Sequence, residues 1–598
     1  MFTYSKPDNL VELFEDAVTR FSDNNLFGIK NGNSSVLNWM TYKEVGRRVD
    51  NVRSGLAQLG VGKGDTVGFI GNNRPEWVLS SFATYGLGAR FVPMYEAELL
   101  DVWKYIICDS EVKVLVVSKS SIYEQVKSFV DELSMLEKII VVESEGLGSL
   151  TELERTGEDN PVPSVQPSPS DMAGLIYTSG TTGAPKGVLL SHGNLSSNAQ
   201  AGYHLYPELD ENSRSISILP WAHSYGQTAE LHNYFQFGGS IGFMESVTTL
   251  AQDLQLIKPT FMIAVPRVFN KIYDQILAKM DDTGGMVKKL FQMAVETAQK
   301  KRNLAEINKS SLLVNLKFAL LDKLVFSKIR EQFGGCLRGA LTASATLNIE
   351  IANFFYNVGI PVFDCYGLSE TSPAVAMNNR ENCRLGSVGK CVEHVHVKID
   401  QSVVEAGAKD GEVIVYGPNI MQGYHNKPDE TKAVMTVDGG FRTGDRGRLD
   451  SDGFLYITGR IKEQYKLENG KYVFPASIEE DIKLLPHVAS AMVYGDGRRF
   501  NVCLVVPDYP VLEKFAREHN LPLDPKELAL SKEVNNLIAD EITLLLEGKY
   551  GGYEIPKRFK LLVDDFALEN GMLTQTMKLK RQVVIDTYKI DIEELYRS

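Results

Sequence analysis

Residues Tyr177–Val188 read YTSGTTGAPKGV, placing three glycines, four serine or threonine hydroxyls and one lysine within a dozen positions. The apolar run MAGLIY ahead of it reads as a strand that delivers a loop. Such a loop offers many backbone N–H groups, several hydroxyls and a cation, a set able to wrap a polyphosphate. It is not a Walker loop. That pattern needs its lysine after glycine and before a hydroxyl residue; here Lys186 follows Pro185 and precedes Gly187. Nor is there a GxSxG nucleophile elbow around Ser179.

Short β-rich runs alternate with helical patterns before this loop: DTVGFIG, EWVLSSFATYGLGA, RFVPMY and VKVLVV. That order predicts βαβ units on a largely parallel sheet. The Pro/Ser-rich segment Asp159–Asp171 reads as an exposed connector. From Gly411 the text changes to short strands with Gly/Asp turns, and after Arg460 a smaller unit of mixed strands and helices begins. At 598 residues the chain exceeds a single core. The expected division is 1–460 and 461–598: an α/β N-terminal region with parallel-rich sheets, then a small mobile α+β C-terminal domain.

The net charge of −13 argues against nucleic acid as a partner. The N-terminal MFTYSKPDNLVELFEDAV lacks a basic n-region and an apolar h-region, which argues against a signal peptide. Six cysteines without a CxxC pair suit reduced thiols in a cytosolic enzyme. Cys383, Cys391, His394 and His396 lie close enough in sequence to raise a metal site. EHVHVKI alternates like a strand, however, so its two histidines are expected merely to share a solvated face.

The loop resembles the phosphate-binding loop of adenylate-forming enzymes, the superfamily of acyl-CoA synthetases, peptide-synthetase adenylation domains and luciferases. Four further segments are similar to that family's motifs, in the family's order. DCYGLSET (Asp364–Thr371) resembles the second nucleotide motif, which implies Tyr366 stacking on adenine beside Gly367, Ser369 on the α-phosphate and Glu370 holding Mg²⁺. RTGD (Arg442–Asp445) looks like the ribose motif, with Asp445 accepting from the hydroxyls. GRIKEQYKLENGKYVFP (Gly459–Pro475) is similar to the hinge and loop, implying Arg460 on the ribose, Lys462 at the pivot, and the Lys466–Gly470 loop facing CoA. LTQTMKLKR (Leu573–Arg581) resembles the C-terminal motif whose lysine, here Lys578, reaches the adenylation site.

The resemblance assigns Thr178, Ser179, Gly180, Thr181, Thr182, Gly183 and Lys186 to the phosphates, with Thr178 also near Mg²⁺. It assigns Ala343 and Ser344 to the nucleotide and His223 to the carboxylate, against a reading of His223 as a hydrogen-bonded core residue. Segments Asn72–Tyr95, Val265–Ile276, Asp322–Asn348 and the helical stretch from Lys279 to Phe333 resemble long-chain fatty acid–CoA ligases. The implied reaction activates a fatty acid with ATP through an acyl-AMP to acyl-CoA, with coenzyme A as co-substrate. The alternative is a ligase that passes the acyl group to a carrier protein.

The chain departs from the family pattern at Ala343–Thr346, at Trp221, where a smaller apolar residue is common, and at Gln575, where proline is usual. The first two bear on the shape of the acyl pocket. Residues 286–330 carry ten basic and three acidic side chains, and SLLVNLKFALLDKLVF adds apolar residues at helical spacing. Two readings stand for this segment: a helix packed on the acyl tunnel, or a peripheral contact with a membrane. A cytoplasmic location, with or without that membrane contact, and a homodimer are compatible with the sequence.

Overall fold

The computed structural model describes the chain except residues 1–5, 31, 33–35, 179–183, 247, 346, 406, 575–577 and 598. Two compact units emerge: Met1–Lys398 with Ile414–Arg442 and Ser451–Leu455, and Ile399–Val413 with Thr443–Asp450 and Tyr456–Ser598.

Among the described residues, a seven-stranded sheet is the frame of the first unit. Its strand Thr66–Ile70 is buried along its length and pairs in parallel with Arg90–Met94 on one side and Val112–Val117 on the other. Helices cover both faces of such a strand, so it carries apolar residues continuously rather than in alternation. Pro75 opens the helix Pro75–Tyr85, where its missing N–H costs nothing. The strand Met172–Thr178 lies parallel to Arg90–Met94, and the chain then turns back as Lys186–Ser191, antiparallel, with Thr178 opposite Lys186. The two-residue strand Gly423–Tyr424 completes that side, Tyr424 opposite Val188. The expected parallel-rich α/β architecture is thus observed, with an antiparallel margin where the glycine-rich loop sits.

A five-stranded sheet follows the same logic. Phe261–Ala264, Gly339–Thr342 and Val362–Gly367 run parallel, and Ala374–Met377 returns antiparallel. The strand expected over EHVHVKI is shorter, His396–Asp400. His394 sits before it at φ 62°, in the left-handed region of a turn. The two histidines therefore do not share a strand face.

In the second unit Val488–Tyr494, Val502–Pro507 and Arg558–Leu561 form a three-stranded sheet. Period-two alternation divides the central strand between two cores. Cys503 and Val505 face Ile478, Ile482, Ile538 and Ile542, while Leu504 and Val506 face Phe566, Met572, Val584 and Ile592. A buried carboxylate bridges the layers. Glu479 accepts hydrogen bonds from the Val493 amide at 2.6 Å and from Arg581 Nη1 at 2.8 Å, with Arg581 Nη2 on its other oxygen.

Removing one partner of a buried pair strands the other charge, at a cost of about 3–5 kcal/mol. Glu479→Ala is therefore expected to lower the second unit's stability by about that amount. Amide exchange across Val488–Tyr494 and Val502–Pro507 would speed up by roughly 10²–10⁴. A loss under about 1 kcal/mol would show the pair to be a surface-type bridge.

Candidate active site

In the first unit the glycine-rich loop leaves Thr178 and returns at Lys186; Ser179, Gly180, Thr181, Thr182 and Gly183 lie outside the described residues. Lys186 is half-buried, its ammonium 5.1 Å from the centre of the Tyr424 ring and paired with the Glu430 carboxylate. Tyr424 in turn donates its hydroxyl to Glu370 Oε1 at 2.8 Å. One tyrosine thus ties the expected phosphate lysine to the expected metal carboxylate. Its own position comes from backbone pairing: Gln422 N–H donates to Leu189 O at 2.9 Å and His425 N–H to Gly187 O at 2.8 Å. Met421 N–H also donates to Glu370 O at 2.9 Å. Asn194 caps the helix His192–Leu205 in a box with Ser191, and its amide donates to Pro418 O at 2.7 Å and Ile420 O at 2.9 Å.

Tyr366 and Gly367 end the strand Val362–Gly367, and Ser369 and Glu370 lie in the turn that follows. Glycine is required at 367, because a Cβ there would lie 2.0 Å from Pro373 O. Ser369 is buried, its hydroxyl 3.1 Å from that of Ser224. This contact brings the loop Pro220–Gly226, and His223 with it, to the turn. The His223 Nδ1 accepts from the Tyr225 amide at 3.1 Å. A neutral ring with that acceptor carries its proton on Nε2.

Ala343 and Ser344 follow the neighbouring strand Gly339–Thr342. Ala343 is buried, and Ser344 takes φ 78°, left-handed for a residue with a side chain. Thr342 pairs in register with Asp364, whose carboxyl burial pushes up to about 8.

The second unit brings together the two residues expected at the ribose. Arg460 Nε lies 2.8 Å from Asp445 Oδ1, on neighbouring strands of one sheet. Lys462 is exposed in the turn beyond, where Glu463 and Gln464 donate back to Arg460 O. The far side of this turn is anchored as well. Gln464 accepts from Arg446 Nη1 at 2.8 Å, and Arg446, almost wholly buried, also holds Asp410 at 2.6 Å. Lys466 begins a hairpin whose strands Tyr465–Lys466 and Tyr472–Val473 pair, with Gly470 at φ 84° in the bend. Gln575 lies outside the described residues; Lys578 is exposed, its carbonyl accepting from the Thr574 amide at 2.8 Å. Three residues on, Arg581 is fixed by Glu479.

Tyr424, Glu430, Ser224 and Arg446 escape a reading of the sequence. Each matters through a partner 18 to 244 positions away, and GYHNKPDE around Tyr424 has no chemical signature of its own.

The chain matches the family model described as AMP-binding enzyme over residues 14–425. It is 32% identical to fatty acyl-CoA synthetase A of Dictyostelium discoideum, over 97% of this chain and 89% of that one. With a long-chain-fatty-acid–CoA ligase of Mycobacterium bovis it shares 31% identity, over 94% and 92%. The crystal structure of the adenylation domain of a carboxylate reductase from Mycobacterium chelonae superposes with a TM-score of 0.80 at 22% identity, covering 99% of this chain and 91% of that one. Likeness at that identity concerns the fold alone. On that family match and those relatives, the chain belongs to the AMP-binding enzyme family.

Proposed function

We propose that this protein activates a fatty acid of the long-chain type with ATP and transfers the acyl group to coenzyme A. The observation that carries the reading is the Lys186–Tyr424–Glu370 cluster at the mouth of the glycine-rich loop. Relatives named as fatty acyl-CoA synthetases, similar over nearly the full chain, support it.

A carboxylate resists thiol attack because its carbon is electron-rich and oxide leaves poorly. In the first half-reaction a carboxylate oxygen attacks the α-phosphorus of ATP and pyrophosphate departs, leaving an acyl-AMP. Positioning and charge stabilisation dominate such a step. Lys186, with Thr181, Thr182 and Gly183, would cradle the departing pyrophosphate. Ser369 would bond the α-phosphate, and His223 Nε2–H would orient the carboxylate. In the second half-reaction the CoA sulfur attacks the acyl carbon and AMP leaves.

The Glu370 carboxylate and Thr178 hydroxyl are hard oxygen donors, and one carboxylate plus phosphate oxygens suits Mg²⁺. Held there, the ion would neutralise phosphate charge. Asp445 and Arg460 would take the ribose. Lys462, with anchored residues on either side, would be the pivot between a 1–460 domain and a mobile 461–598 domain. That rotation would exchange Lys578 for the Lys466–Gly470 hairpin.

Residues 286–330 are proposed to meet a membrane surface peripherally, from a cytoplasmic location. No helix among the described residues is long and apolar enough to cross one. The helix Leu312–Leu321 does not bury its apolar side as a tunnel wall would: Leu312, Leu313, Leu316 and Leu320 are 60–80% exposed. Leu324 continues the four-residue spacing, with Lys317, Lys323 and Lys328 exposed alongside.

Three measurements check these readings. Pyrophosphate release across a ladder of carboxylic acids, with and without CoA, should peak with long-chain acids and yield thioester only with CoA. Thioester absent while acyl-AMP accumulates would point to a carrier protein as acceptor. Lys578→Ala should slow adenylation by about 10²–10³ while thioester formation from synthetic acyl-AMP stays within about tenfold. Equal losses would make Lys578 structural. In flotation with anionic vesicles the protein should bind at low salt and weaken at high salt, each basic residue contributing about 1 kcal/mol. Absence of binding at both salts would rule out the membrane contact.

A further inference from the structure

Glu230 is a buried carboxylate with no assigned part in the chemistry. It lies on the helical turn Gly226–His232, a segment wound with i→i+5 hydrogen bonds, and is 1% exposed. Three donors converge on it. The Ser215 hydroxyl donates to Oε1 at 2.5 Å, the Ser217 hydroxyl to Oε2 at 2.7 Å and the Trp221 indole N–H to Oε2 at 2.8 Å. Burial pushes its carboxyl up to about 7, and the three donors pull it down against that trend.

The arrangement accommodates the tryptophan at 221, where the resemblance implies a smaller residue. The Trp221 ring is fully buried among Phe27, Trp77 and Phe243, with centroids 5.6–6.0 Å away. A buried indole N–H must find an acceptor or pay its desolvation, and Glu230 supplies it. A second bracket holds the same point. The Trp221 amide donates to Asn73 Oδ1 at 2.7 Å, and Asn73 Nδ2 donates to Ser217 Oγ at 2.8 Å and Leu219 O at 2.7 Å. Trp221 is therefore fixed by backbone and side chain together, two residues before His223 and three before Ser224, which touches Ser369.

We propose that Glu230 is a positioning residue: through Trp221 it sets the Pro220–Gly226 loop, and so decides how His223 meets the carboxylic acid substrate. This rests on the reading of His223 as the carboxylate's partner. Small shifts of a positioning group cost much in rate, since near-attack geometry is held to fractions of an ångström. A carboxylate, unlike an amide, can accept from all three donors at once. Glutamine keeps one acceptor oxygen for the indole and the Ser217 hydroxyl, and the Ser215 hydroxyl can rotate to accept from its NH₂ group.

The test combines acid-dependent ATP–pyrophosphate exchange, using hexadecanoate as the probe, with amide exchange of residues 219–226. In Glu230→Ala the KM for hexadecanoate should rise at least about tenfold, with the KM for ATP held within about threefold. Amides 219–226 should exchange about tenfold faster, while Thr66–Ile70 is unchanged. Glu230→Gln should restore both readouts to within about threefold of the parent enzyme. Trp221→Phe, which removes the indole N–H and keeps an aromatic ring, should show the same selective rise in smaller measure and serves if the alanine variant does not fold. Equal rises in both KM values, or a glutamine variant as damaged as the alanine one, would overturn the proposal. If the parent enzyme shows no hexadecanoate-dependent exchange, the acyl-activation reading falls, and amide exchange at 219–226 still decides whether Glu230 holds the loop.

Discussion

Two residues of backbone pairing, Gly423–Tyr424 against Val188–Leu189, hold the candidate site of the first unit together. They bring a tyrosine from more than 230 positions downstream to the mouth of the glycine-rich loop. There its ring lies beneath the Lys186 ammonium and its hydroxyl meets Glu370. A hydrogen bond of this kind contributes only about 0.5–1.5 kcal/mol net. Its weight lies in geometry, because it fixes the separation of the Lys186 ammonium and the Glu370 carboxylate in advance of any ligand. Asn194 reinforces the pairing from the helix that follows the loop's return strand. Loop, strand and helix therefore act as one support.

The second unit solves a related problem with charges. Its sheet separates two apolar cores, and Glu479 joins them by accepting both the Val493 amide and the Arg581 guanidinium. Arg581 stands three residues after Lys578, so the pair anchors the chain close to that lysine. Arg446 plays a comparable part beyond Lys462, where Gln464 is tied to the same buried arginine as Asp410. Anchors on either side of a short turn confine any dihedral change to the few residues between them.

Glu230 differs from both, since its partners are neutral donors rather than a cation. A carboxylate so placed trades its charge against three hydrogen bonds, which is why burial and donors pull its ionisation in opposite directions. Trp221 and the glutamate that receives its N–H form one unit. Neither is intelligible alone.

The glycine-rich loop, the βαβ alternation ahead of it and the strand-turn DCYGLSET are legible in the sequence because local composition and period specify them. The split of Val502–Pro507 between two cores is not, because VCLVVP is apolar throughout. His394 misled the periodic reading, since a left-handed turn residue breaks a strand without changing its letters. The leucine stripe of residues 312–324 shows the other limit: spacing reveals that a face is apolar, but only packing decides that it faces outward. The same holds for Tyr424, Ser224, Arg446 and Glu230. Sequence by itself determined the chemical parts and their order along the chain, because those depend on residue type and local spacing. Tertiary structure alone decided which tyrosine carries Glu370, which acid receives Trp221 and which arginine anchors Gln464, because each pairing joins segments that only the folded sheets bring within hydrogen-bond reach.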